Sequence, residues 1–155
     1  MNQDNSAIRV RRARADDASE IAAFNIAMAL ETEDKVLDPD VIEAGVSRMV
    51  TDDRLGFYLV GEYSGQVVGC LGVTYEWSDW RNGLFWWIQS VYVLPEYRRR
   101  NVFAGMYRKT HELAAEQPDI CGIRLYVEKE NERARSTYLA LGMSMTHYDL
   151  LEVEF

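Results

Sequence analysis

Three consecutive arginines, Arg98, Arg99 and Arg100, lie between an apolar run ending at Leu94 and an amphipathic stretch that starts near Val102. A strand handing over to a helix at such a point makes an anion site. The first-turn backbone N–H groups have no partner inside the helix, and they point outward with the positive end of the helix dipole. Arginines at that end oppose the dipole by roughly 0.3 to 1 kcal/mol each when they are only a solvated face. Placing three of them there makes chemical sense when a phosphate or diphosphate sits between them, gripped by backbone amides and guanidinium forks together. No GK[ST] follows, so a Walker-type phosphate loop is excluded, and no G-x-G-x-x-G is present for a dinucleotide fingerprint.

A second constellation lies downstream in YVEKENERARSTYLALGM, where Asn131, Ala134, Tyr138 and Gly142 are spaced along one helix and its stop signal. Asparagine suits a helix start and glycine the residue just past a helix end. Tyr138, two turns along, carries a phenol with a reference pKa near 10, able to give a hydrogen bond or a proton to a developing anion. By residue type alone, a tyrosine on a helix face is more often part of the core.

Together the two stretches resemble the GNAT superfamily of acetyl-coenzyme A dependent N-acetyltransferases, along nearly the whole chain. The family's loop [QR]-x-x-G-x-[GA] is matched by Arg98, Arg99, Arg100, Asn101, Val102 and Phe103, and N-x-x-A-x-x-x-Y-x-x-x-G by Asn131 to Gly142. Two loop glycines are replaced. Asn101 tolerates a left-handed backbone; Phe103 fits if its ring turns into the core while its N–H faces the phosphates, with Ala104 and Gly105 letting the helix pack close.

The resemblance implies an α+β fold of order βααβββαβαβ: a mixed, mostly antiparallel sheet flanked by helices, with a splayed strand pair forming the acetyl-CoA cleft. It implies acetyl-CoA as cosubstrate, no metal, and backbone contacts from Val91, Tyr92 and Val93, with the Val93 N–H polarising the thioester carbonyl. Asn131 would meet the pantetheine amides, and Tyr138 would act as general acid toward sulfur. The loop residues Arg98 to Ala104 would hold the diphosphate.

The acceptor is expected to be a primary amine, whose pKa near 10 requires a base to remove its proton. Gln89 stands on the central strand where a carboxylate would serve. Glu76 and Glu31 are the candidate bases, with Asp79 and His147 behind them. Each carboxylate also reads as a surface charge. Trp77 and Trp80, with Glu31, Glu33 and Asp34, would line an acidic, aromatic acceptor side. The alternative is a noncatalytic acyl-coenzyme A sensing module that lacks a working base.

The elements that must position these groups follow from periodicity. Ile8 to Arg14 alternates like a strand. Asp17 and Glu20 read as a capping box for a helix with Ile21, Phe24 and Met28 inward. Asp38 and Pro39 open a second helix whose inner face is Val41, Ile42, Val46 and Met49. Leu55–Gly61 and Gln66–Glu76 form a hairpin through Ser64 and Gly65. Leu84–Val93 is a central strand that Pro95 ends. A helix runs from Arg100 to about Gln117, Gly122–Val127 is the next strand, a helix capped by Asn131 reaches Leu139, and Met145–Phe155 closes the sheet.

The chain has 155 residues, 48% of them hydrophobic, enough for one domain spanning 1–155 with a sizeable core. Lys and Arg number 17 and Asp and Glu 25, a net charge of −8 that disfavours nucleic acid and makes the local basic loop stand out. Cys70 and Cys121 are expected as buried free thiols. The opening MNQDNSAIRV lacks the basic and apolar regions of a leader, and no run has membrane-spanning length, so a cytoplasmic protein is expected. By analogy with the fold, strand material near the C-terminus would suit pairing in a homodimer.

Overall fold

The computed structural model describes residues 8–155. The stretch 1–7, which bears on the leader, lies outside the described residues. Contacts gather into two compact units, one ending at Leu125 and a smaller one spanning Tyr126–Phe155.

The larger unit is a five-stranded sheet, β1 (Arg9–Arg12), β2 (Gly56–Tyr63), β3 (Gln66–Ser78), β4 (Gly83–Val93) and β5 (Ile120–Leu125), paired in that order. All neighbours are antiparallel except β4 and β5. The antiparallel pairs need only short turns: β2 and β3 join through Ser64 and Gly65, both at positive φ as the hairpin twist demands. The parallel pair needs a crossover, supplied by α3 (Val102–Ala115).

Helices α1 (Ala18–Glu33) and α2 (Pro39–Thr51) pack together. Ile21, Phe24 and Val46 meet Tyr58, Val60, Cys70 and Tyr92 in one buried core. Asp38 caps α2, accepting from the N–H groups of Asp40 at 2.9 Å and Val41 at 3.4 Å. The Val41 side chain, expected inward, is exposed, because the buried stripe runs through Ile42, Val46, Met49 and Val50.

The capping box also lies elsewhere than expected. Asp17 accepts the Arg14 N–H at 2.7 Å and so closes a 3-10 turn, Ala15–Asp17, ahead of α1. Its carboxylate is also gripped through both oxygens by Arg11, at 2.8 and 2.9 Å. A bidentate guanidinium outcompetes a neutral first-turn amide for the same acceptor.

Helix α3 comes close to the sheet over glycines. A Cβ on Gly61 would lie 2.8 Å from the Val102 side chain, and one on Gly69 would meet Val102 at 3.3 Å. Val102 and Met106 therefore sink fully into the core. Cys70 is a buried free thiol, but Cys121 on β5 is exposed, since β5 is a sheet edge.

In the smaller unit, Asn131 caps α4 (Glu132–Ala140), its Oδ1 accepting from the Ala134 N–H at 3.1 Å. Gly142, at φ 97°, ends the helix: Met143 N–H reaches back to the Tyr138 carbonyl at 3.1 Å, the bond that defines a Schellman motif. The expected closing strand is not formed. Residues 145–155 take part in no strand pairing, so the order is βααβββαβα.

Candidate active site

Strand β4 changes neighbours along its length. Its first half pairs with β5 from Leu84 to Ile88, opposite Ile120 to Leu125, and the pairing stops there. On its other side β4 stays paired to β3, with one interruption: Ser90 and Val91 together oppose Leu71. Ser90 takes φ 54°, so the strand carries a bulge where β5 leaves it.

A buried polar group backs this bulge. The Cys70 thiol lies 3.3 Å from the Ser90 carbonyl, and the Ser90 side chain hydrogen-bonds the Tyr58 hydroxyl. Asn25 of α1 donates to the Ile21 carbonyl at 3.0 Å and to the Tyr58 hydroxyl at 3.5 Å. Burial pushes the Cys70 thiol up to about 12, so it stays a neutral donor, and burial also raises the Tyr58 phenol. These supports were missed in the sequence, where the one available signal was Asn25 inside the apolar helix IAAFNIAMA.

Beyond the bulge, the ladder dictates which way the backbone faces. Leu94 N–H donates to the Val68 carbonyl at 2.9 Å, toward β3. Antiparallel alternation then turns both backbone groups of Val93 to the opposite edge, the one β5 has vacated. There the Val93 carbonyl accepts from Arg98 Nε at 2.9 Å. Tyr92, between them, sends its side chain to the α1 face, with its ring centroid 5.6 Å from that of Phe24.

Pro95 ends the strand in a 3-10 turn, Pro95–Tyr97, and Arg99 and Asn101 both follow with positive φ, 63° and 64°. Asn101 thus takes the left-handed position that glycine would fill. Its side chain does not cap α3, so the first-turn amides of Val102, Phe103 and Ala104 meet no capping oxygen from it. Phe103 does not turn into the core; Val102 occupies that place, and Phe103 lies half-buried with its ring 5.8 Å from Tyr107. One turn of helix separates the two rings, which is why they meet.

The three arginines divide the work. Arg98 folds back: besides Val93 it binds Glu31 Oε2 at 2.9 Å and lies over the Tyr92 ring. Arg100 lies over the rings of Tyr63 and Tyr97. Arg99 is exposed.

The carboxylates named from the sequence are widely separated. Glu31, at the end of α1, accepts from the Tyr92 hydroxyl at 3.1 Å and from Arg98; the guanidinium holds its carboxyl below the usual range. Glu76 pairs across the sheet with Phe85 and accepts from Arg124 at 2.6 Å, while Arg124 also lies 3.6 Å above the Phe85 ring. Seven residues of strand separate Phe85 from Tyr92, roughly 23 Å at the usual rise. Trp77 and Trp80 are exposed at the same end as Glu76, with Asp79 in the turn between β3 and β4. Glu31, Glu33 and Asp34 therefore do not join the tryptophans on one face. In the smaller unit Tyr138 is half-buried, on the α4 stripe that includes Asn131, Ala134 and Arg135, and His147 is exposed beside Tyr148. Among the described residues, no group of three or more His, Cys, Asp or Glu is arranged to hold a metal ion.

The Acetyltransferase (GNAT) family model matches residues 21–143. The chain belongs to the GNAT acetyltransferase family. This acetyltransferase is 47% identical to a possible acetyltransferase from Clostridium difficile 630, with a TM-score of 0.90 over 96% of this chain and 97% of that one. Its fold is shared with the aminoglycoside N-acetyltransferase AAC(6')-Iy in complex with CoA, at 12% identity and TM-score 0.78, covering 99% of both chains. A predicted acetyltransferase with acetyl-CoA from Clostridium acetobutylicum has the same fold at 18% identity and TM-score 0.77, covering 96% of each chain. No curated protein matches the sequence. The acetyltransferase has a mixed α+β sheet as expected, and among the described residues no helix is long and apolar enough to cross a membrane.

Proposed function

We propose that this acetyltransferase, acting as a single domain over 1–155, moves an acetyl group directly from acetyl-CoA to a primary amine of a small molecule or peptide. The observation that carries the reading is the parting of β4 from β5 after Ile88, which leaves the Val93 N–H facing the vacated edge and leads into the uncapped start of α3. The donor set fits the molecule. A backbone concavity with positive φ at Arg99 and Asn101 suits a diphosphate, with Val102, Phe103 and Ala104 giving N–H groups and Arg99 giving charge. Acetyl-CoA supplies the activated acyl group as a thioester.

The chain's own residues supply orientation and proton handling. Val91, Tyr92 and Val93 offer backbone along the cleft, with the Val93 N–H as donor to a developing oxyanion. Asn131 retains its amide N–H groups for the pantetheine arm, because only its Oδ1 is used in the cap. Tyr138 protonates the departing sulfur. Glu31 anchors the loop: a carboxylate whose pKa is lowered by Arg98 is a poor acceptor for an amine proton. Glu76, opposite Phe85 and held by Arg124, lies too far along β4 from Val93 to take the amine proton itself, so a water chain carries that proton out of the cleft.

A second reading, an acyl-CoA sensing module without turnover, is favoured by one observation: the carboxylates of Glu31 and Glu76 are both engaged by arginines. Free-thiol release from acetyl-CoA over a panel of amines decides between them. Turnover that falls in Tyr138→Phe supports the enzyme. Tight acetyl-CoA binding by calorimetry with no thiol release from any amine supports the module, and no binding at all removes both.

A further inference from the structure

A cavity of about 130 Å³ lies beside the start of β4, and every residue lining it belongs to the larger unit. Strand register builds its floor. Tyr75 pairs with Trp86, and Phe57 pairs with Val73 two residues before Tyr75, so the three rings project from one face of the sheet. Trp86 meets Phe57 edge to face at 5.1 Å, and both are buried. Leu84 continues that face, and Leu113 of α3 lines the cavity opposite the strands. The acetyl-CoA cleft is remote: seven residues of strand separate Trp86 from Val93, roughly 23 Å at the usual rise.

The mouth of the cavity is charged. Arg12 pairs with Leu59, two residues from Phe57, and so shares the face of the rings; its guanidinium lies 4.9 Å from the Phe57 ring centre and donates to Asp53 Oδ1 at 2.8 Å. The pair is exposed, 55% for the Arg12 side chain and 83% for that of Asp53. Exposed pairs add little to stability, so a ligand that meets both charges separates them at small cost. Burial raises the Tyr75 phenol, while Arg12 and Asp53 act on it in opposite senses, which leaves a neutral hydroxyl near the two charges.

We propose that this cavity binds a free α-amino acid with a branched aliphatic side chain, its carboxylate on Arg12, its ammonium on Asp53 and its hydrocarbon against Phe57 and Trp86. Size sets the side chain. An apolar cavity of about 150 Å³ holds benzene, so a four-carbon branch fits this smaller one and an indole does not. Charge sets the backbone. A plain carboxylic acid would bring its carboxylate against Asp53 with no ammonium between them, and a plain amine would meet Arg12 in the same unfavourable way.

The test uses the full chain, with L-leucine as the probe. Titration calorimetry is expected to give a Kd of about 1 mM or tighter, weakened by about tenfold or more in Asp53→Asn and in Arg12→Gln. The two half-ligands, 4-methylpentanoate and 3-methylbutylamine, should bind about tenfold more weakly than leucine or worse. In ¹⁵N-labelled protein the Trp86 indole N–H signal, assigned by its loss in Trp86→Phe, should move as leucine is added. Leu113→Phe fills the cavity and should abolish binding; if it unfolds by circular dichroism, Asp53→Asn, at an exposed site, decides in its place. No heat and no shift with leucine up to about 20 mM, an unmoved Trp86 signal, half-ligands that match leucine, or binding indifferent to both charge variants would each overturn the proposal. Binding that survives in folded Leu113→Phe would place leucine elsewhere, as an acceptor in the cleft for example, and would overturn it too. None of these readouts depends on acetyl transfer.

Discussion

Arg98 and Val93 are joined by one hydrogen bond, Nε to the backbone carbonyl at 2.9 Å, across the turn that connects the end of β4 to α3. The bond satisfies the one Val93 backbone acceptor that the departure of β5 left without a ladder partner, and so holds the adjacent Val93 N–H in place. The same guanidinium ties the turn to α1 through Glu31. The first arginine of the loop thus braces the cleft by joining the end of β4 to α1.

Replacing that brace has a measurable signature. Arg98→Ala is expected to raise the KM for acetyl-CoA by about tenfold, the size of one charge-assisted bond in a partly exposed setting. Arg98→Lys should recover little, because a point ammonium cannot reproduce a fork that serves Val93 and Glu31 together. Steady-state kinetics at varied acetyl-CoA checks both. Arg99→Ala should also raise KM, but with a steeper response to added salt, as expected for an exposed charge that meets the anion directly.

Tyr138→Phe removes a hydroxyl and little else. A general acid at sulfur contributes roughly 10²- to 10⁴-fold, so kcat should fall by about 10² or more with KM for acetyl-CoA changed less than threefold. An unchanged kcat would assign the ring to packing alone.

Asn25 and Tyr58 support the Ser90 bulge from a buried position. Asn25→Ala deletes donors in a sealed environment and is expected to lower stability by about 1 to 3 kcal/mol, read as a fall in the urea midpoint at unchanged m-value. If the bulge aims Val93 as described, folded Tyr58→Phe should also lose kcat beyond its loss of stability, since the oxyanion donor shifts with Ser90.

Stability should respond to acid through Asp17. Its carboxyl is held below the usual range chiefly by the Arg11 side chain, with the Arg14 N–H adding to the effect. A carboxyl depressed on folding contributes stability that is complete above its unfolded pKa, about 4, and is lost as pH falls through the lower folded value. Denaturation midpoints between pH 7 and 2.5 should therefore drop more steeply for the natural chain than for Asp17→Asn. At pH 7 the variant should be less stable by about 3 kcal/mol, because Arg11 is left largely buried with only Glu62 at 2.6 Å.

Much of the architecture was legible because it follows from local chemistry. Ser-Gly between alternating runs can only turn tightly, Asp-Pro starts a helix, and Gly142 ends one; all three are found in place. The helix start behind the arginines was legible for the same reason, since uncapped amides are a property of any helix. Val41 was misread because the inward stripe of a helix is set by its rotation against neighbours, which its own periodicity leaves undetermined by about one residue. Cys121 was misread because nothing in a short apolar run says whether its strand is central or at an edge.

The sequence by itself determined the element order as far as α4, the basic turn and the family, since each rests on residues adjacent along the chain. Only the tertiary structure decided what the side chains do there. Arg98 belongs to Val93 and Glu31 because β4, its following turn and α1 converge. Glu31 and Glu76 lie at opposite ends of β4, although either could serve as a base by type. Ser90 sits at a bulge because strand pairing on both sides of β4 fixes the register, and pairing is a relation between segments far apart in the chain. Pairing also failed where alternation alone predicted it: residues 145–155 have the pattern of a strand, but a strand exists only where a neighbouring edge accepts its hydrogen bonds.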